Sequence, residues 1–222
     1  MNLRLLEWDT KFFNKRIGRL DLESNSNIEY PNQLKDFDIV YIFSPIKLSI
    51  AAPLMDIKLT YSKSIENIPS IDEIEHFDIH SHNYNQLLDL VYLSGHDSRF
   101  LKDSVFGEIE FKRLYKQWID NSINDEDTLV LISQADNKIE GFVTVKIHEN
   151  YGQIGLIAVN PIKHGKGIGR NLIYAVENHL KKYFKLLVAT QETNVNACKF
   201  YENLGFTLEK KEYIYHYRHD TI

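Results

Sequence analysis

Apolar and polar positions recur along this chain with two periods, and the switches between them predict its elements. Over residues 16–22, Gly18, Leu20 and Leu22 alternate with Ile17, Arg19 and Asp21, the two-residue period of a strand. Phe37 to Phe43 is β-branched and aromatic and ends at Ser44-Pro45, which predicts a buried strand. Ile57, Leu59 and Tyr61 alternate with polar residues over 56–62, a third strand. Glu66 to Ser70 holds Asn67 and Pro69 and reads as a linker, and a strand is expected over 73–80. Helical spacing follows, with Leu87, Leu90, Val91 and Tyr92 inside 83–93. A stronger stripe of Phe111, Leu114, Tyr115, Trp118, Ile119 and Ser122 lies inside 108–123. Strands at 128–133, 138–148 and 153–159 are separated by Ala135-Asp136-Asn137 and Glu149-Asn150-Tyr151-Gly152, turn signals suited to antiparallel hairpins. A helix over 168–183 carries Ile168, Leu172, Ile173, Val176, Leu180 and Tyr183 on one side, and 185–190 is a short apolar strand. Asn194 is placed to cap a helix with Ala197, Phe200, Tyr201 and Leu204 as its stripe and Gly205 just past its end. Two closing strands are expected at 206–208 and 213–217.

This order predicts an α+β protein with a mixed, mostly antiparallel sheet flanked by helices, not a doubly wound one. It divides into an N-terminal lobe, residues 1–70, suited to substrate binding or dimerisation, and a larger C-terminal domain, residues 71–222. The 222 residues are 43% hydrophobic and include 13 Tyr and 12 Phe, enough for a sizeable core. A net charge of −5 weighs against a nucleic-acid partner without excluding a local basic pocket. The lone cysteine, Cys198, permits no intrachain disulfide, which fits a reducing compartment. Charges break up Met1 to Asp21, so no secretory leader is expected there, and no apolar run approaches the roughly 20 residues that span a bilayer. A cytoplasmic location is expected.

The candidate chemistry centres on His164-Gly165-Lys166-Gly167-Ile168-Gly169-Arg170, between a strand and a helix. Glycines let successive backbone N–H groups converge, and the helix behind them adds its positive end, which together suit a pyrophosphate. Alone the pattern is no more than a tight turn as often as a ligand site. It is not a Walker A loop, and the strand over 185–190 lacks the acidic residue of a dinucleotide fold.

The segment after that strand changes the balance. Asn194-x-x-Ala197-x-x-x-Tyr201-x-x-x-Gly205-Phe206, following such a turn, resembles the GNAT family of acetyl-CoA-dependent N-acetyltransferases. The loop fits that family's Gln/Arg-x-x-Gly-x-Gly/Ala pattern at Gly167 and Gly169 and departs from it at His164. The likeness covers roughly Ile71 onward and implies the GNAT acyl-CoA N-acyltransferase fold, here with a small additional N-terminal α/β lobe. Shorter words are similar to the dTDP-fucosamine acetyltransferases: Leu6-Glu7-Trp8-Asp9-Thr10-Lys11-Phe12-Phe13, His96 to Phe100, Phe111 to Ser122, Val188 to Gln191 and Tyr213 to Arg218. Those enzymes acetylate the amino group of a nucleotide-linked 4-amino-4,6-dideoxy sugar for surface polysaccharide.

The resemblance implies acetyl-CoA as co-substrate, held by Ile157, Ala158 and Val159 of a splayed strand, by the loop from His164 through Gly165, Lys166, Gly167, Ile168, Gly169 and Arg170, and by Asn194. Tyr201 would protonate the leaving thiolate. Arg99 is a candidate contact for a substrate phosphate. No general base is identifiable, His96, Asp97 and Glu192 being weak candidates. No metal is expected: His76, His80 and His82 share a face with Asp78 if 73–80 is a strand, but their spacing matches no zinc pattern. Cys198 reads as a small apolar residue rather than a nucleophile. The expected partner is a small-molecule amine, a dTDP-amino sugar by the shorter words. Another small amine or a protein amine stays open, as does a non-catalytic acyl-CoA sensor. A homodimer is compatible with the chain, though no periodic motif specifies one.

Overall fold

The computed structural model describes residues 2–23, 32–65, 74–180 and 185–218. Along them run β1 (Asn2–Leu5), α1 (Glu7–Phe13), β2 (Ile17–Asp21), β3 (Ile39–Ser44), β4 (Leu54–Ser64), β5 (Ile74–His76), α2 (Tyr84–Ser94), α3 (Arg99–Lys102) and α4 (Gly107–Asn124). They are followed by β6 (Thr128–Ala135), β7 (Lys138–Ile147), β8 (Tyr151–Val159), α5 (Ile168–His179), β9 (Lys185–Gln191), α6 (Val195–Asn203) and β10 (Thr207–Arg218). The strands join in one sheet, in the order β1-β2-β3-β10-β4-β9-β8-β7-β6-β5. Neighbours are antiparallel except β2 with β3 and β8 with β9. This is the mixed, mostly antiparallel α+β sheet that the sequence predicts.

Strand alternation sends successive side chains to opposite faces, and each face is covered differently. On one face α1 to α4 pack through Phe13, Leu87, Leu90, Val91, Phe100, Phe111, Leu114 and Ile119 against Tyr41, Phe43, Phe142, Leu156 and Ile214. On the other, α5 and α6 pack through Leu172, Ile173, Val176 and Tyr201 against Leu59, Tyr61, Val143, Ile154 and Val188. Towards the N-terminal edge a third cluster, with Leu20, Leu34, Val40, Ile42 and Tyr215, covers the reverse of β2, β3 and β10. β3 is therefore buried along its whole length, as its unbroken apolar run requires. Each fully buried side chain of this kind contributes about 1.5–3 kcal/mol.

The boundary expected near residue 70 does not divide the sheet. β10 lies between β3 and β4, and β4 lies between β10 and β9. The expected linker over 66–70 falls outside the described residues, as do Tyr183 and its neighbours at the end of the predicted 168–183 helix. That helix closes earlier, at His179, with Leu180 as its C-cap. The strands predicted at 206–208 and 213–217 are one strand, β10, with a bulge between Leu208 and Lys210. Its polar middle stays in the ladder because Lys211 and Glu212 pair with Leu59 and Lys58. Glu212 also forms ion pairs with Lys58 (3.8 Å) and Lys210 (2.7 Å). The strand expected over 73–80 is short: after His76 the chain turns, and the Asp78 carboxylate accepts bonds from the backbone of His80 and the hydroxyl of Ser81. Helix α1 is not visible in the alternation of its residues. It forms where Trp8 stacks on Phe12 at 4.8 Å and Phe13 enters the core beside Phe100 and Phe106.

Candidate active site

Strand β8 pairs with β9 only from Tyr151 to Ile154, opposite Lys185 to Val188. Beyond that point β8 stays bonded to β7 as far as Val159, and β9 stays bonded to β4 as far as Gln191. Each strand follows its outer neighbour, so the two diverge. A bulge starts the divergence: Gly155 and Leu156 together face Thr144, whose Oγ1 accepts the Leu156 N–H at 2.9 Å. A Cβ on Gly155 would come within 2.9 Å of that same oxygen, so the position suits glycine. The parting leaves backbone groups of residues 155–159 without a strand partner on the β9 side.

The gap opens into a cavity of about 1080 Å³ lined by Ile154 to Val159 on one wall and Val188 to Gln191 on the other. Ile157 and Val159 pack with the α5/α6 core, Leu156 and Ala158 with the α1–α4 core. All four line the cavity, so it passes through the sheet from one face to the other.

At the α5 end the glycine loop forms the wall. Gly165 (φ +76°) and Gly167 (φ +83°) take left-handed conformations that side chains resist, and Gly167 is the N-cap of α5. Gly169 serves packing: a Cβ there would lie 3.2 Å from the Phe200 ring of α6. Lys166 and Arg170 are exposed beside the loop, and a helix N-terminus with flanking cations favours an anion. His164, where the resembled pattern has Gln or Arg, turns its ring back on β8, with Nε2 2.9 Å from the Val159 carbonyl oxygen. In the Nε2–H tautomer it donates there, bracing the strand end against the loop.

Helix α6 supplies the middle of the cavity. Asn194 caps it, its Oδ1 accepting the Ala197 N–H at 3.1 Å, while its amide nitrogen keeps its two donors. Tyr201 is buried, packs against Tyr61 and Phe206, and lines the cavity. Its hydroxyl makes no hydrogen bond to another described residue. Burial, with Cys198 adding to it, pushes the phenol well above its ordinary value, so it is protonated at any working pH. Cys198 itself points to the Gln191 carbonyl oxygen at 3.7 Å and does not line the cavity.

On the opposite face the cavity ends among Arg19, Phe43, Asp56, Lys58, Arg99 and Trp118. The Arg99 guanidinium sits over the rings of Phe100 (4.4 Å) and Tyr41 (4.9 Å). It forms no ion pair among the described residues, and its Nε has no hydrogen-bond partner. Burial works against that charge, with Tyr41 and Asp56 opposing the effect. Arg19 is partly neutralised by Asp21 at 2.7 Å and lies over Phe43 at 3.7 Å. Behind this end Asp103 takes a bond from His216 Nδ1 at 2.5 Å and another from Arg218, and the His216 ring contacts Tyr41 at 4.6 Å.

Every residue that sequence reasoning assigned to acetyl-CoA, together with Tyr201 and Arg99, therefore lines one cavity. The three weak base candidates do not: His96 is exposed, Asp97 pairs with Lys102 at 3.6 Å, and Glu192 pairs with Lys211 at 2.5 Å. Sequence reasoning missed Asp56 and Lys58. The alternation over 56–62 placed them on the polar side of a strand, but a polar side facing solvent and one facing a cavity look alike. His76, His80 and His82 do not converge. His76 Nε2 meets His179 Nε2 at 3.0 Å, while His82 accepts the Asp78 N–H at 2.8 Å.

Comparison with known proteins agrees with this geometry. A model of the acetyltransferase (GNAT) family matches residues 95–206. The spore coat polysaccharide biosynthesis protein SpsD of Bacillus subtilis is 25% identical over 121 residues, which are 54% of this chain and 42% of that protein. The chain thus spans less than half the length of the curated relatives it matches. A conserved protein of unknown function from Staphylococcus epidermidis shares the fold with a TM-score of 0.63 at 15% identity, over 91% of this chain and 83% of that one. The PaiA N-acetyltransferase of Thermoplasma acidophilum, solved in complex with coenzyme A, superimposes with a TM-score of 0.50 at 20% identity, over 66% of this chain and 98% of that one.

Proposed function

Because this chain belongs to the acetyltransferase (GNAT) family, we propose that it is an acetyl-CoA-dependent N-acetyltransferase whose acceptor is the amino group of a nucleotide-linked 4-amino-4,6-dideoxy sugar. One observation carries the reading: a single cavity runs from an anion-binding glycine loop, through the parted strands, to a cationic and aromatic end on the other face. Acetyl-CoA supplies the acyl group as a thioester. The loop N–H groups of Gly165 to Gly169, with Lys166 and Arg170, hold its pyrophosphate. The backbone of Ile157, Ala158 and Val159 along the parted strand and the Asn194 amide hold its pantetheine arm and polarise the thioester oxygen. The Tyr201 hydroxyl gives its proton to the departing thiolate. The coenzyme A in the Thermoplasma relative is consistent with this assignment.

The first 70 residues supply part of the acceptor end, through Arg19, Phe43, Asp56 and Lys58. Arg99 and Lys58 suit a diphosphate, and Phe43 and Trp118 offer faces to a base or a sugar. The same cations oppose a polyamine acceptor. The name of SpsD, a polysaccharide biosynthesis protein, points the same way.

The test is release of free thiol from acetyl-CoA with dTDP-4-amino-4,6-dideoxygalactose, spermidine, kanamycin and a peptide with a free N-terminus. Turnover with the sugar nucleotide alone supports the full reading. Turnover only with another amine retains the chemistry and removes the acceptor. Coenzyme A binding without turnover marks a non-catalytic acyl-CoA sensor.

A further inference from the structure

In an acetyltransferase, acyl transfer leaves the acceptor nitrogen with a proton to lose. A primary amine enters at neutral pH largely as an ammonium, whose lone pair is not free to attack a carbonyl. Either water or a group inside the cavity has to take that proton. The lining is rich in cations, with Arg19, Lys58, Arg99, Lys166 and Arg170 among them. Among the described lining residues Asp56 is the single carboxylate. His164 is the single imidazole there, but it sits at the pyrophosphate end with Nε2 engaged by the Val159 carbonyl oxygen.

The place of Asp56 in the sheet suits the task. The Glu192 N–H bonds to the Ile57 carbonyl oxygen at 2.8 Å, the last tie between β4 and the chain leaving β9. Ile57 packs with the α5/α6 core, so Asp56, its neighbour on the strand, faces the other side, where the acceptor end lies. Across it stand Arg99 and Lys102 of α3 and Tyr115 of α4, with Lys58 two residues along its own strand. The carboxylate forms no ion pair with any of them among the described residues. Burial outweighs these cations and lifts the carboxyl to about 6. At neutral pH the group is ionised, yet it is a stronger base than an exposed carboxylate.

We propose, resting on the acetyltransferase reading of the same cavity, that Asp56 is the general base of the transfer, taking a proton from the acceptor ammonium before nitrogen attacks the thioester carbon. The C–N bond then forms and the C–S bond breaks. Two protons leave the nitrogen in all. One passes through Asp56 to solvent, and the other balances the proton that Tyr201 gives to the thiolate, so that amide, free thiol and one released proton result.

The experiment compares the parent with Asp56→Asn on acetyl-CoA and whichever of the four panel amines the parent uses fastest. The expected loss in kcat/KM at pH 7 is about 10²- to 10⁴-fold, with the dissociation constant for coenzyme A unchanged. The pH profiles also part company. In the parent, kcat/KM climbs through about pH 6 and is then level up to the pKa of the amine. In Asp56→Asn only the free amine reacts, so the rate keeps climbing about tenfold per pH unit to the amine's own pKa and the gap narrows. Asp56→Glu, which retains a carboxylate, regains part of the rate and the level region. An Asp56→Asn enzyme with the parent's rate and profile overturns the assignment, and water is then the proton acceptor. Loss of rate together with loss of coenzyme A affinity also overturns it, in favour of a structural role. A parent silent with all four amines removes the acetyltransferase reading itself and the role of Asp56 with it.

Discussion

Lys63 Nζ and Glu177 Oε1 lie 2.6 Å apart, the carboxylate sealed from solvent and the lysine side chain 16% exposed. The pair ties β4 to α5, the helix that opens at the glycine loop. An ion pair in such a place repays its own desolvation poorly, but removing one partner leaves the other's buried charge less compensated. Lys63→Met is expected to cost about 3–5 kcal/mol, read from urea unfolding. The double variant Lys63→Met/Glu177→Leu should recover most of that. A double variant no better than the single one would show that the pair itself holds the helix in place.

Tyr201→Phe removes one hydroxyl from a buried ring and leaves its packing on Tyr61 and Phe206 intact. If that hydroxyl protonates the leaving thiolate, kcat falls by about 10²- to 10⁴-fold and the coenzyme A dissociation constant stays put. Because burial holds the phenol far above its ordinary value, the parent should show no basic limb from Tyr201 below pH 10. A basic limb that vanishes in Tyr201→Phe would contradict this.

The three loop glycines predict three different outcomes. Gly165→Ala meets nothing within 4 Å and carries only the strain of its positive φ, about 1–2 kcal/mol. Gly167→Ala adds to that strain a contact at 3.1 Å with the Arg170 guanidinium beside the loop, so weaker coenzyme A binding is expected as well. Gly169→Ala is not strained in φ but presses on Phe200 at 3.2 Å. It should shift α6 and lower kcat more than stability. Calorimetric titration with coenzyme A and thermal melts of the three variants separate these effects.

Arg99→Met exchanges function for stability. A half-buried guanidinium without an ion pair is a burden on the fold, so the variant should be at least as stable as the parent, by up to about 2 kcal/mol. Its KM for a phosphorylated acceptor should rise at least tenfold while coenzyme A binds as before. An unchanged KM would take Arg99 out of the acceptor site.

Acid stability should follow His216. Burial lowers its imidazole from 6.5 to about 4 despite the bond to Asp103. The folded chain therefore holds it neutral while the unfolded chain takes up a proton below pH 6.5. Its contribution is complete above pH 6.5 and lost as pH falls towards 4, about 3 kcal/mol in all. Below that, Asp103, held near 2 chiefly by the His216 hydrogen bond against its burial, adds a further loss. His216→Asn should flatten the slope between pH 6.5 and 4 in denaturant midpoints.

The two halves of the site were not equally legible in the sequence. The glycine loop, Asn194 and Tyr201 lie within one stretch of chain, where turn chemistry and helical spacing act locally and leave a mark. The acceptor end is assembled from β2, β3, β4, α3 and α4, and nothing local tells Asp56 or Lys58 that β10 and α3 will enclose them. The same blindness divided β10 into two: a charged stretch such as Lys210 to Glu212 reads as a break until β4 is known to lie alongside it. Helix α1 was hidden because it is only seven residues long and carries one helically spaced aromatic pair, Trp8 with Phe12, while Phe13 owes its order to Phe100 and Phe106 across the core.

The position of β4 between β9 and β10 has a consequence for how the molecule comes into being. A nascent chain that has released β2, β3 and β4 has made the apolar strands of one flank without either of the neighbours that will zip β4 into place. Those neighbours leave the ribosome more than a hundred residues later. Until then the exposed edges of β4 are open to other chains, and pairings so distant in sequence form slowly. The acceptor pocket is thus a late product of synthesis, and a chain halted before β9 would possess the segment bearing Asp56 but no cavity for it to serve.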